Sequence, residues 1–290
     1  MTTGSDFVAR FLFEALDIRG AFARLGDVWR SLLAGRGYDD AVRDLLGELT
    51  ATAVLIGDNL KQPGRLTFQL QGSGPVRLLV VDCTAALRLR GMAEAAPGLA
   101  PAPLRALLGD GRLSLILQND AAREPWQSLV PLAGDSIAAV FEHYLAQSEQ
   151  QPARLWLAAD GQSACGLFLQ KLPGADARDA DGWARVCGLA ATASAAEMRE
   201  LAPADLLGRL FAEEDVRLYA PKPVAYDCPE DAEKVRAMLR ALGRREVESI
   251  LAEQGEVVVR DEMCNREYRF GAGDLGTLFP PVPAAARTLH

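Results

Sequence analysis

Histidine is almost missing from this chain: His143 and the terminal His290 are the only two in 290 residues. With it goes the commonest general base and nucleophile activator near neutral pH, so a conventional acid/base enzyme is not expected. No apolar run approaches the ~18 residues a membrane-spanning helix needs, and no membrane partner is expected. The start, MTTGSDFVARFLF, lacks the basic residues and long apolar stretch of a secretory signal, which points to the cytoplasm. Basic charge is short as well: 31 Lys and Arg face 39 Asp and Glu, for a net charge of -8. Without a basic stripe to displace counterions, nucleic acid is not an expected partner. The five cysteines (Cys83, Cys165, Cys187, Cys228 and Cys264) are too few and scattered for a secreted disulfide framework, so thiols or ligands are expected.

What is present is ordinary for a folded protein. The 49% apolar and 24% charged fractions exclude wholesale disorder. The length suggests about two domains of roughly 150 residues each.

Residues 7–25 read as an extended apolar run broken at Arg19-Gly20, followed by a helix over 27–33. A longer helix begins with Asp39 as N-cap and buries one face through Val42, Leu45, Leu46, Leu49, Ala53, Ile56 and Leu60. The period then changes to two. Leu66, Phe68 and Leu70, a Gly72-Ser73-Gly74-Pro75 turn, and Val76, Leu78 and Val80 describe a β-hairpin. Strands are predicted at 86–92, 113–117, 127–132, 154–158 and 165–172, with a helix opening at Asp135 that buries Ile137, Val140, Phe141 and Tyr144. This mixture predicts an α+β core domain over 1–174. Past Pro173 the texture becomes Ala- and Asp-rich, with helices over 183–193 and 205–214, and predicts a helical linker over 175–223. A Pro-rich joint, Pro221-Lys222-Pro223, then leads to a small C-terminal domain over 224–275. Its order is helix, helix, strand, turn, strand, and residues 276–290 form a tail; fraying is expected from Gly271 on.

Few motifs carry chemistry. Gly72-Ser73-Gly74 has neither the lysine of a phosphate loop nor a following helix, so a hairpin turn is expected. Gly134-Asp135-Ser136 resembles a nucleophile elbow only faintly and reads as a helix cap. Cys83, Cys165 and Cys187 stand alone among apolar or small residues and read as buried structural thiols. Cys228 and Cys264 differ. Each has a carboxylate at ligand-like spacing, Cys228-Pro229-Glu230 and Asp261-Glu262-Met263-Cys264, the second in a predicted hairpin turn. On these residues alone a metal site and a solvated loop both remain open.

Several segments together resemble the Hsp33 family of redox-regulated molecular chaperones. They are Leu12-Phe13-Glu14, Ile18-Arg19-Gly20, LTFQLQGSGPV (66–76), Leu89-Arg90-Gly91-Met92-Ala93, YLAQSEQ (144–150) and EVESILAEQGE (246–256), in the family's order over nearly the whole chain. The resemblance implies a core domain, a helical linker and a small zinc-binding redox-switch domain. It also implies a holdase that keeps unfolding client proteins from aggregating without ATP, and a homodimer as the active form. Family members bind zinc through CxC and CxxC motifs. Here Glu230 and Asp261 stand where partner cysteines belong, so the family's disulfide within each motif cannot form.

Three states of the altered site stand open. Zinc held by Cys228, Glu230, Asp261 and Cys264 is one, with selectivity lowered by the harder carboxylates. A metal-free unit is the second, with Lys234, Arg260 and Arg266 placed to pair with Glu230 and Asp261. It would be held by Val247, Ile250, Leu251, Val257, Val259, Tyr268 and Phe270. One long-range disulfide between Cys228 and Cys264, as the redox pair, is the third. Function likewise divides between a holdase with weakened thiol switching and a regulatory module that keeps the fold without chaperoning.

Overall fold

The apolar run at the start of the chain folds as two strands. β1 (Phe7–Phe13) and β2 (Ile18–Leu25) pair antiparallel throughout, with Phe7 opposite Arg24 and Phe13 opposite Ile18. The break lies at 14–17, where Asp17 takes a φ of 53°, and not at Arg19-Gly20. Gly20 stays inside β2 because the Phe11 ring lies across it; a Cβ at that position would overlap the ring. The computed structural model describes residues 6–58, 64–119, 125–148 and 150–280. Leu60 of the expected helix face therefore lies outside the described residues.

Asp6 anchors the start of α1 (Asp27–Leu33) just past the end of β2, its Oδ1 accepting from Gly26 N at 2.8 Å and Val28 N at 2.9 Å. Next, α2 (Asp40–Gly57) buries residues around most of its circumference rather than on one face. The reason is the pair of sheets that flank it. One side meets β2, β8 (Ala153–Ala159) and β9 (Ala164–Lys171); the other meets β3 (Gly64–Gly72), β4 (Val76–Thr84) and β5 (Arg88–Ala95). Thr50 and Thr52 tolerate full burial because their hydroxyls donate to the carbonyls of Leu46 at 2.6 Å and Glu48 at 2.8 Å. Asp39 precedes the helix as expected, but its carboxylate accepts from Leu99 N at 2.9 Å instead of capping.

The predicted hairpin is present, β3 and β4 pairing with Leu70 opposite Leu79. After β5 come α3 (Leu104–Leu108), β6 (Gly111–Asn119), β7 (Trp126–Pro131) and α4 (Ile137–Ser148). Ser136 Oγ accepts from Ala139 N at 3.1 Å, which is the capping role expected of Gly134-Asp135-Ser136.

Beyond β9 lie α5 (Ala175–Arg178), α6 (Gly182–Ala190), α7 (Ala195–Glu200) and α8 (Pro203–Leu210), then the short strands β10 (Val216–Leu218), β11 (Lys222–Pro223) and β12 (Ala225–Tyr226). The sheet orders are β10-β1-β2-β9-β8, with β11 also on β1, and β12-β5-β4-β3-β6-β7. The stretch expected as a linker over 175–223 thus packs within the first compact unit, which runs to Asp227. Its helices cover a sheet and its strands extend one. The second unit begins at Cys228 rather than at residue 224, since Ala225 and Tyr226 pair parallel with Arg88 and Leu89.

The second unit contains α9 (Ala232–Leu242), α10 (Arg244–Gln254), the hairpin β13 (Val257–Asp261) and β14 (Arg266–Phe270), a 3-10 turn at Ala272–Asp274 and α11 (Leu275–Leu278). Its own core joins Val235, Leu239, Val247, Val257, Tyr268, Phe270 and Leu278. The fraying expected from Gly271 does not hold over the described residues: Leu278 is buried, and its carbonyl accepts from Arg240 Nε at 2.9 Å. The architecture is α+β, as the pattern of periods predicted.

Candidate functional site

Strand alternation gives the first sheet two buried faces. Val8, Ala21, Ala23, Leu25 and Phe168 point toward α2. Phe7, Ala9, Phe11 and Phe13 of β1, with Ile18, Phe22, Leu167 and Leu169, point the other way. That second face would be open to water but for α6, α7 and α8, which lay Val186, Ala190, Met198, Leu206, Leu207 and Leu210 on it. Phe211 closes the cluster against Phe11 and Phe13.

Polar ties secure the margins of this cover. Arg24 Nη1 donates to the carbonyls of Arg199 and Leu201, both at 2.9 Å, at the end of α7. Ser194 and Glu197 form a reciprocal capping box at its start. Arg185 pairs with Glu214 at 2.7 Å and Asp179 at 2.9 Å. This covered face was not singled out in the sequence. The available signal was β1 itself, FVARFLF, which is apolar at consecutive positions and so needs a layer on each side.

The cysteine site lies in the second unit. Cys264 sits in the β13–β14 turn, beside Asn265 at φ 51°. Cys228 and Cys264 are joined as a disulfide, their Cα atoms 5.6 Å apart, a separation such a bond spans. Arg266 Nη2 donates to the Cys228 carbonyl at 3.3 Å, and Asp231 N donates to the Tyr268 hydroxyl at 3.1 Å, holding the two segments side by side. Asp261 turns inward on its own loop, Oδ1 accepting from Met263 N at 3.0 Å and Cys264 N at 3.3 Å. Glu230 is exposed. Of the basic residues expected to pair with these carboxylates, Arg260 lies 3.8 Å from Glu262, and Arg266 reaches the Cys228 carbonyl.

Zinc, which the resemblance implies, needs four donors converging on one point. The residues present do not fit it in this arrangement, because both sulfurs are bonded to each other and the Asp261 carboxylate serves its own turn. Among the described residues no three His, Cys, Asp or Glu side chains are grouped to hold a metal ion.

The remaining cysteines are thiols. Burial pushes Cys83 up to about 12 and Cys165 up to about 11. Cys187, only half-buried, is pushed up to about 11 by the same cause. Arg24 and Arg199 act against this at Cys165, and Arg154 at Cys187, but burial outweighs them and none is poised as a thiolate.

The Hsp33 protein family model matches residues 6–271. This chain belongs to the Hsp33 family. It is 41% identical over 274 residues to a protein of Nitrosococcus oceani named 33 kDa chaperonin, covering 94% of each chain. A protein of the same name from Chromobacterium violaceum is 40% identical over 285 residues, covering 97% of each. The crystal structure of the 33 kDa chaperonin (heat shock protein 33 homolog) of Thermotoga maritima superposes with a TM-score of 0.80 at 23% identity. That match covers 94% of this chain and 97% of the other, and it supports the fold. Hsp33 is a family of chaperones and not of enzymes, in keeping with the scarcity of histidine. No helix among the described residues is long and apolar enough to cross a membrane.

Proposed function

We propose that this Hsp33 chain is an ATP-independent holdase of the cytoplasm that binds unfolding proteins through the apolar face of its first sheet, with thiol control reduced to the single pair Cys228 and Cys264. The observation that carries the reading is the cover. Helices of nine, six and eight residues lie over a face built from Phe7, Phe11, Phe13 and Phe22. Helices this short are marginal in water by themselves. Their order depends on docking, so moderate stress opens them before the central sheet and uncovers sticky surface.

The second unit supports the same reading. Its core of seven buried side chains is small for independent stability. Metal is absent from the proposed working form, and heat rather than oxidation is its main activator. Homodimerisation belongs to the reading as well and is checked by light scattering after warming.

The deciding measurement is thermal aggregation of a model client with reductant present throughout. Protection under reductant is the expected result. Protection that appears only after oxidant rejects heat activation, and no protection under either condition favours a binding module without chaperoning.

A further inference from the structure

Residues 216–223 are bound to β1 in the way a peptide is bound to a sheet edge. None of them is buried, although their partner strand is among the most buried in the fold. The pairing is carried by the main chain. Leu218 lies opposite Phe11 and Val216 opposite Phe13, Lys222 opposite Val8 and Pro223 opposite Phe7. Tyr219 N donates to the Arg10 carbonyl at 2.9 Å, and Val224 N donates to that of Asp6 at 3.2 Å. Side chains add two ion pairs, Arg217 with Glu14 at 2.9 Å and Lys222 with Asp58 at 2.6 Å. Pro221 and Pro223 cannot donate, so the segment is a poor strand that blunts an otherwise continuous edge. Beside it opens a cavity of about 440 Å³, with Val8, Leu12, Phe168 and Tyr219 in its wall and Arg10 and Lys222 also lining it.

We propose that the backbone edge of β1 is a docking site for an extended apolar segment of an unfolding protein, and that residues 216–223 occupy this edge in the resting chain. The inference rests on the holdase reading and names how the client is held. Val216 and Leu218 are partly buried against the core and the rest of the segment is exposed, so less apolar burial opposes its release than holds the central strands, and it opens before them. Release exposes the N–H and C=O groups of Phe7–Phe13 along one edge. A client strand pairs there through main-chain hydrogen bonds, which ask nothing of its sequence. Alternate side chains of that strand lie against Val8, Leu12 and Phe168, the part of the cavity wall that stays when the segment leaves, which favours apolar ones. Such pairing suits a chaperone, because every unfolded chain carries the same backbone.

The test uses the full chain at the temperature where it protects a client. A fluorescein-labelled peptide of alternating apolar and uncharged polar residues, about ten long, is compared by anisotropy with two forms N-methylated at every second residue, one on each edge. Methylation on the pairing edge is expected to weaken binding about tenfold or more, since several main-chain hydrogen bonds are lost. Methylation on the other edge should change it by less than a factor of about two. Equal binding of all three peptides overturns the proposal while leaving the holdase reading intact.

A second arm locks the edge with Leu12→Cys and Arg217→Cys, which face each other across the ladder, in a Cys228→Ser/Cys264→Ser background. Cross-linked, this variant should lose peptide binding and regain it on reduction. Undiminished binding by the locked form overturns the proposal. Absence of both peptide binding and client protection in the parent chain overturns the underlying reading together with it.

Discussion

Phe13 of β1 and Phe211 at the end of α8 meet edge to face, their ring centroids 4.8 Å apart and their planes at 89°. The pair joins the sheet to the helices that cover it, and Phe11 lies against both rings. Phe211 is 2% exposed, so truncation leaves a cavity at the joint itself. Phe211→Ala should cost roughly 3–5 kcal/mol of docking energy. The expected outcome is client protection beginning at a lower temperature than in the parent, with an apolar dye bound before the central sheet melts. Unchanged onset of protection would count against the cover as the controlling element.

Gly20 is required by packing rather than by turn geometry. The Phe11 ring that crosses it is 1% exposed and wedged between Phe13 and Phe211, so it has no free direction in which to yield. Gly20→Ala should destabilise the first unit by about 1–3 kcal/mol, as overpacked cores do. Thermal melting followed by circular dichroism measures this. A melting temperature equal to the parent's would show that the ring shifts freely.

How far the sequence foretold these features depends on what each one rests on. Local periodicity placed the β3–β4 hairpin, α4 with its buried Ile137, Val140, Phe141 and Tyr144, and the two helices and hairpin of the second unit. It misread 7–25, because Arg19-Gly20 carries the signal of a break and only the ring of Phe11, in another strand, explains the glycine. It took 175–223 for a linker because helix-forming composition says nothing about what a helix covers. The strands β10, β11 and β12 escaped notice for a related reason: two or three residues beside prolines show no alternation. At the cysteine site the four candidate residues were legible, but only the two sulfurs are brought together. Asp261 and Glu230 looked like ligands by spacing, and their orientation is set by backbone N–H groups and solvent that spacing does not report.

Glu48 of α2 gives the cover a pH dependence. It lines a cleft with Leu155 of β8 and with Ala195 and Met198 of α7, and burial, reinforced by the nearby charge of Asp44, pushes its carboxyl up to about 7 from 4.5. A pKa raised on folding favours the native state fully below the unfolded value. That contribution is lost as pH rises from 4.5 through about 7. Glu48→Gln, which stays neutral, should therefore match the parent in acid and exceed it progressively until the gain levels off above pH about 7. Melting temperatures of both proteins across this range check the sign. A parallel pair of curves would mean that Glu48 is solvated in the native state.

Thiol chemistry should separate the five cysteines sharply. Burial that raises Cys83 and Cys165 leaves almost no thiolate at neutral pH, so both should resist alkylation until the first unit unfolds. After reduction, Cys228 and Cys264 should label first, since their segments belong to the smaller unit and are only partly buried. Mass spectrometry of peptides from a timed labelling reaction gives the order directly. Early labelling of Cys83 would mean that the central helix α2 is far less secure than its packing implies.

The sharpest contrast concerns what holds the second unit together. A bond closing a separation of 36 residues restricts the unfolded chain and adds about 2–4 kcal/mol. A structural zinc contributes more, of the order of 10 kcal/mol in small zinc domains. If the disulfide state is the relevant one, hydrogen exchange in α9, α10 and the β13–β14 hairpin should quicken on reduction. Cys264→Ser should behave like the reduced parent, and a chelator should change neither. If instead the chelator alone loosens the reduced unit and metal analysis finds zinc, then Glu230 and Asp261 rotate to replace the lost thiolates. The C-terminal unit would in that case keep a metal-based switch in altered form rather than a weakened thiol switch.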